Sequence, residues 1–246
     1  ADDAAGFAIA ERMTAQIRGL NMATKNANDG LSMLGVIENA TNDVTDMLHR
    51  MRELAIQATN DTNGTEDRAF LQKEVAELIK EIDRVATQTQ YNGQTVLDGT
   101  FSSKSIQVGT ESGQKITFSV NGIKTDAIGT AADASASPAV AEADVADINI
   151  STAAGAQSGL QVITDAIEQV AGDRATYGAL QNRLEYTVSN LMNVAEFTTA
   201  ARSRIEDADF AAESARLAKA QVLQQTGTAM LAQANASSQL ALSLIR

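Results

Sequence analysis

The chain has 246 residues, a net charge of −12, one proline, one histidine and neither cysteine nor tryptophan. The missing thiols exclude disulfides, thiolate catalysis and cysteine-based zinc sites, and an acidic chain without a basic run excludes binding to nucleic acid through neutralised phosphates. Aromatic residues make up 4 % of the chain, while Ala, Gln, Asn, Ser and Thr abound, which suits long helices with small seam residues better than an enzyme core. No apolar run approaches the ~18 residues of a membrane span. No basic-then-apolar leader precedes Ala1-Asp2-Asp3, and the lack of an initiator Met predicts a fragment whose N-terminus was removed. Absence of cysteine fits either a reducing compartment or an exported protein held by packing alone.

The first apolar-periodic stretch runs from about Asp2 to Asn60, with Asp2 and Asp3 as cap and dipole partners. Met13, Leu20, Ala27, Leu34 and Leu48 lie seven or fourteen apart, and Ile17, Leu31, Ile37, Val44 and Met51 form a companion row with one phase slip. A seam so narrow needs a partner helix, and at ~1.5 Å per residue the helix is roughly 85–90 Å long. Gly6, Gly19, Gly30 and Gly35 fall inside it; each costs up to ~1 kcal/mol against Ala, which predicts close approach of another backbone. Asn60 to Gly64 is a cluster of turn formers. Thr65, Glu66 and Asp67 open a second helix to about Gln90, with Phe70, Leu71, Val75, Leu78, Ile79, Ile82 and Val85 on one face, folded antiparallel on the first.

From Tyr91 to about Ile128 the period changes to two, and Asn92-Gly93, Asp98-Gly99 and Asn121-Gly122 are turn signals, so one or two β-hairpins are expected. Gly129 to about Ser158 is rich in Ala, Ser and Asp and reads as a surface excursion, with Val145, Ile148 and Ile150 a candidate short strand. A second long seam runs from about Gln157 to Arg204: Leu160, Ile163, Ile167, Val170, Tyr177, Leu184, Val188, Leu191 and Ile205 step by threes and fours. The last stretch, Asp209 to about Ile245, is nearly uncharged and rich in Gln and Ala, a helix that requires packing for its stability. The expected fold is mainly α: a long antiparallel helical rod, coiled-coil-like, with a small β-hairpin region.

Catalytic sets are missing from this pattern. His49 has no second His or Cys with which to bind metal or activate a nucleophile. Glu74, Glu77 and Glu81, with Lys73, Lys80 and Arg84, read as a solvated helix face. Asn28-Asp29-Gly30 is not a calcium loop, because Lys25 and Val36 would occupy its first and last ligand positions. No metal or cofactor is expected, and the chain reads as a structural part and not as a catalyst.

Many short runs resemble bacterial flagellin, in order and over nearly the whole chain. They include Gln16-Ile17-Arg18-Gly19-Leu20, Asn26-Ala27-Asn28-Asp29-Gly30, Glu81-Ile82-Asp83-Arg84-Val85, Gln181-Asn182-Arg183-Leu184, Ser203-Arg204-Ile205-Glu206-Asp207 and Leu231-Ala232-Gln233-Ala234-Asn235. The resemblance implies a structural subunit of the flagellar filament, extracellular, exported without a cleaved signal peptide and partnered by other copies in a homopolymer. It divides the chain into residues 1–128 and 155–206 as a rod domain, 129–154 as a short variable surface insert and 207–246 as half of an inner-tube domain, whose N-terminal half is missing, so this chain alone is expected to be monomeric.

It also implies a flagellar secretion chaperone on the C-terminal helix, with Leu217, Leu223, Gln224, Leu231, Leu242 and Leu244 as the chaperone and inner-tube interface. Flagellins detected by Toll-like receptor 5 carry a helical motif that here reads Leu48-His49-Arg50-Met51-Arg52-Glu53-Leu54-Ala55-Ile56-Gln57, completed by Glu74. Leu48, His49, Arg50, Arg52, Glu53, Leu54, Gln57 and Glu74 are thus the expected receptor and assembly interface. His49 replaces the usual Gln, which implies weakened or unchanged recognition. The alternative function is a cell-surface binding module of flagellin type, for polysaccharide or a host receptor.

Overall fold

The computed structural model describes the backbone of residues 4–130, 143–206 and 210–243, and the side chains of these except 4, 210–213 and 236–243. Four long helices dominate: α1 (Ala4–Thr59), α2 (Thr65–Gln88), α3 (Ala153–Glu206) and α4 (Phe210–Ser243). Between α2 and α3 lie β1 (Gln90–Tyr91), β2 (Gln94–Thr95), β3 (Lys104–Gln107), β4 (Lys115–Phe118), β5 (Gly129–Thr130), β6 (Ala143–Asp144) and a 3₁₀ turn, Val145–Asp147. The strands pair antiparallel as β1–β2, β3–β4 and β5–β6. Two compact units result, one formed by Gln16–Glu196 and the other by Ala1–Ala15 with Phe197–Arg246.

In the unit Gln16–Glu196 the buried face of α1 is Leu20, Ala23, Ala27, Gly30, Leu34, Ile37, Thr41, Val44, Leu48, Met51, Ala55 and Ala58, a strict alternation of three and four. The phase slip expected between Leu31 and Ile37 does not exist. Gly30 holds the seam position and Leu31 only flanks it, and Thr41 fills the gap before Val44. Thr41 is polar yet fully buried because its hydroxyl donates to the carbonyls of Ile37 and Glu38, at 2.9 and 3.0 Å. On α3, buried Ala156, Ile163, Val170, Tyr177, Leu184 and Leu191 stand seven apart. Leu20 packs on Leu191, a Cβ on Gly30 would touch Leu184, and Gln181 Nε2 donates to Glu38 Oε2 at 2.9 Å. Rising numbers on α1 meet falling numbers on α3, so the two helices are antiparallel.

α2 folds back on α1 over the turn at Asn60–Gly64. Arg68 Nε donates to the Ala58 carbonyl at 2.8 Å, and Asp67 accepts from the Gly64 N–H at 2.9 Å, closing the helix start. Val75, Ile82 and Ala86 are buried, and Leu71, Leu78, Ile79 and Val85 flank them. Phe70, expected on this face, is instead 65 % exposed and carries the Lys73 ammonium 5.3 Å from its ring centroid. At about 100° per residue, Phe70 stands about 140° round the helix from buried Val75, whereas Leu71 stands about 40° from it.

The small strands close one side of this three-helix core. Asn92 and Gly93 turn between β1 and β2 with φ of 50° and 77°, the left-handed pair of a tight hairpin. In β3–β4, Ile106 faces Ile116. A Cβ on Gly30 would collide with Ile106 Cδ1, and one on Gly19 would stand 2.8 Å from Thr110 Cγ2, so these glycines admit the second hairpin, whereas Gly35 has open space around it. Polar clamps tie the loops to the helices, among them these three. Thr125 donates from both N–H and hydroxyl to Asp83 Oδ1, each at 2.9 Å. Gln72 donates to the Ile148 carbonyl at 3.2 Å and accepts from the Ile150 N–H at 2.6 Å. Asn121 donates to Asp173 Oδ1 at 2.7 Å and, through its backbone, to the Tyr177 hydroxyl at 3.2 Å.

The surface excursion expected from Gly129 to Ser158 is corrected over its described part. Gly129–Thr130 pairs with Ala143–Asp144, the core takes in Val145, Ile148 and Ile150 without a strand, and α3 already begins at Ala153. The centre of the expected insert, 131–142, lies outside the described residues. In the other unit, Ala10 is buried and the Arg202 guanidinium donates to the Thr14 hydroxyl at 3.3 Å. Ile205, expected in the seam of α3, is 41 % exposed: the buried series of α3 steps by seven to Leu191, and 205 lies fourteen residues on, past the last buried position.

Two outcomes follow. Ile37→Ala should cost about 2–5 kcal/mol in urea unfolding followed by circular dichroism, whereas Ile56→Ala, at a half-exposed position, should cost under about 1 kcal/mol. Burial holds the Asp173 carboxyl above its ordinary range, against the opposing hydrogen bond from Asn121. A raised value means a contribution that is full below the unfolded value and lost as pH rises through the folded one. Asp173→Asn should therefore gain in melting temperature over the wild type as pH rises from about 3 to 7, with little difference at the acid end.

Candidate assembly and recognition surfaces

The outer side of α1 near its end is set by the same seven-residue repeat that makes its core. Because Leu48, Met51, Leu54, Ala55 and Ala58 point inward, His49, Arg50, Arg52, Glu53, Ile56 and Gln57 must point outward. Leu48 and Leu54, expected in the receptor and assembly interface, are fully buried. They fix the helix that presents the patch and are not surface a partner touches.

Arg50 is the organised element of this patch. Its Nε and Nη2 each lie 2.8 Å from Glu74 Oε1 on α2, and its Nη1 donates to Glu53 Oε2 at 3.0 Å. The hydrogen bond it donates to Glu74, then that to Glu53, raises the guanidinium further above its already high value. Two carboxylates thus hold one cation across two helices. His49, Arg52 and Gln57 are exposed and have no side-chain partner among the described residues. The structure therefore brings together Arg50, Glu53 and Glu74 and leaves three members of the predicted patch free to meet another molecule.

Helix α4 presents a different surface. Leu217, Leu223 and Leu231 are each 60 % exposed or more, Val222 and Met230 are comparably open, and Gln224 is exposed. These apolar residues are spread around the helix and not gathered on one stripe. Leu242 falls within α4 but its side chain lies outside the described residues, as does Leu244 altogether. Among the described residues no group of His, Cys, Asp and Glu is placed to hold a metal, and no helix is long and apolar enough to cross a membrane.

Sequence matches settle what these surfaces belong to. Residues 1–102 match the bacterial flagellin N-terminal helical region, and residues 160–245 match the bacterial flagellin C-terminal helical region. A flagellin of Halalkalibacterium halodurans is 42 % identical over 245 residues, covering 100 % of this chain and 85 % of its own length. A flagellin of Bacillus subtilis is 42 % identical over 266 residues, covering 100 % of this chain and 87 % of its own. The chain belongs to the bacterial flagellin family. The crystal structure of Bacillus cereus flagellin overlays with a TM-score of 0.55 at 29 % identity, covering 68 % of this chain and 88 % of that one. The chain is thus a structural subunit of the flagellar filament and not an enzyme, which agrees with the missing catalytic set.

Sequence reasoning missed the clamps at Asp83, Gln72 and Asp173. Each is a lone polar residue at a helix position flanking the seam, a signal with no local marker. If Arg50 serves the surface and not the core, Arg50→Ala should cost less than about 1 kcal/mol in thermal unfolding, as exposed ion pairs do; a larger loss would make it a structural residue.

Proposed function

We propose that this filament subunit uses its two surfaces with different partners. The unit Gln16–Glu196 serves as the rod layer and α4 as part of the inner tube. The observation that carries this reading is the ring of exposed leucines on α4. A helix apolar on several sides is stable only when surrounded, and neighbouring copies around a tube supply cover from more than one direction. Before assembly the same helix needs a temporary cover, which a secretion chaperone provides through Leu217, Leu223, Leu231 and their neighbours. Export without a cleaved signal peptide then delivers the subunit to the growing filament outside the cell.

The Arg50 patch is the second surface. His49, Arg52 and Gln57 stand open beside a guanidinium already fixed by Glu53 and Glu74. An ordered arginine loses little freedom on binding, which makes it a suitable anchor. We assign this face to Toll-like receptor 5 recognition when the subunit is free.

Leu223→Lys with Leu231→Lys should abolish co-purification of the chaperone while leaving the unfolding midpoint of the rod unchanged. Arg50→Ala should lower receptor-reporter activation by about tenfold or more, about 1.4 kcal/mol of binding, with His49→Gln equal to or above wild type. Full receptor activation by the Arg50 variant would remove the assignment.

A further inference from the structure

Three Asn-Gly pairs occur in the chain, at 63–64, 92–93 and 121–122. In such a pair the glycine nitrogen can attack the asparagine side-chain carbonyl, because no Cβ on the glycine blocks the approach. What the fold does with each pair decides whether the attack happens.

Two of the pairs are held. The Asn63 amide donates to the Gln57 carbonyl at 2.6 Å, and the Gly64 N–H donates to Asp67 Oδ2 at 2.9 Å, where Gly64 caps α2. The nitrogen that would leave and the nitrogen that would attack are therefore both engaged. The Asn121 amide donates to Asp173 Oδ1 at 2.7 Å, and the Asn121 N–H to the Tyr177 hydroxyl at 3.2 Å. Gly122 lies against Gly99, so close that a Cβ there would stand 3.0 Å from Gly99 Cα. Neither peptide plane turns without breaking such contacts.

The third pair is open. Asn92 and Gly93 are exposed, and neither the Asn92 side chain nor the Gly93 N–H has a hydrogen-bond partner among the described residues. Open space surrounds Gly93. Their φ values of 50° and 77° are those of a type I′ turn. The other favoured two-residue hairpin turn, type II′, is reached by rotating the peptide plane between the two central residues, which carries ψ of the first to about −120°. Its Cβ and the next nitrogen are then nearly eclipsed, the geometry of a planar five-membered ring. Both turns serve the same hairpin, so Tyr91 stays opposite Gln94, Gln90 stays opposite Thr95, and the Tyr91 hydroxyl keeps its 3.2 Å bond to the Asp29 carbonyl. The reactive conformation requires no strand to open.

We propose that Asn92 is a site of spontaneous deamidation, selected by its hairpin over Asn63 and Asn121. The Gly93 nitrogen gives its proton to solvent hydroxide and bonds to Asn92 Cγ. The Cγ–Nδ2 bond breaks, the nitrogen takes a proton from water and leaves as ammonia, and a succinimide remains. Water then adds to one ring carbonyl. Opening at Cγ gives aspartate, and opening at the main-chain carbonyl gives isoaspartate. The sum is asparagine plus water giving aspartate or isoaspartate plus ammonia, with no change of oxidation state. Either product places a new carboxylate on the rim of the cavity that Asn92 shares with Asp29 and Lys104. Isoaspartate also lengthens the backbone by one atom, which a two-residue turn does not absorb with its register intact.

The test needs only the full wild-type chain, so no variant has to fold. It is held at mildly alkaline pH in water labelled with heavy oxygen, once native and once unfolded in urea. Peptide mapping then counts labelled aspartate and isoaspartate at the three positions. In the native chain Asn92 should convert at least about tenfold faster than Asn63 or Asn121, the protection that a hydrogen bond to a carboxylate supplies. In urea the three rates should converge. Native rates that are equal at the three sites, or led by Asn63 or Asn121, overturn the proposal. A ranking unchanged in urea also overturns it, because selection then belongs to the neighbouring residues and not to the hairpin. So does an Asn92 that converts only when the chain is unfolded.

Discussion

An unbroken three-four seam along α1 is the constraint from which the rod unit follows. From Leu20 to Ala58 every position on that spacing is withdrawn from water. A helix with one narrow apolar line has no stable conformation alone in water, since helix stability comes mostly from packing. Two partners resolve this. α2 returns after the Asn60–Gly64 turn, and α3 returns from the far side of the strands, so local and long-range contacts share one interface. Repetition fixes the register as well. Shifting α3 by one residue would turn Ile163, Val170, Tyr177 and Leu184 out of the seam together.

Small and polar residues in the seam decide what else can dock. Ala23, Ala27 and Gly30 thin α1 where the β3–β4 hairpin lies across it, and Ile106 occupies the volume a side chain at residue 30 would fill. From Leu34 to Met51, where no hairpin presses on α1, the seam is large and apolar apart from Thr41. The clamps at Asp83, Gln72 and the Asn121–Asp173–Tyr177 junction then supply the backbone partners that short loops cannot find in ladders of their own. At that junction burial, and then the nearby Asp173 charge, pushes the Tyr177 hydroxyl up to about 12. The tyrosine therefore stays neutral, and its oxygen remains available to the Asn121 N–H.

Much of the helical skeleton was legible because period and turn chemistry agree. Asn60-Asp61-Thr62-Asn63-Gly64 stops one helix, and Thr65 starts the next at the position read from sequence. Part of the rest is hidden because apolarity is an imperfect proxy for burial. Gly30 and Thr41 hold seam positions without being apolar, so a regular repeat looked interrupted. Phe70 looks like core by residue type, whereas helix phase places it outside; Ile205 keeps the seam phase but lies beyond the last buried position, and Leu48 and Leu54 come with the family motif, whereas phase places them inside. The segment from Val145 to Ile150 looked like a surface excursion from its small and acidic neighbours, yet Gln72 supplies its carbonyl and N–H with partners and permits its burial. The family resemblance located the Arg50 patch, while only phase shows which of its residues a partner can reach.

Stability and assembly then draw on separate surfaces of the same chain. The seam consumes the apolar side chains of the unit Gln16–Glu196 so fully that few large ones remain outside, chiefly Met22, Ile56, Phe70, Tyr186 and Met192. Contact between rods therefore has little apolar area to use and must rely on polar and charged groups, whose attraction is long-ranged and orienting but modest per pair. On α4 the balance is reversed, with apolar groups open all round and few charges. The two surfaces are therefore of opposite kind: the rod unit keeps its apolar side chains in the seam, and α4 leaves its leucines open.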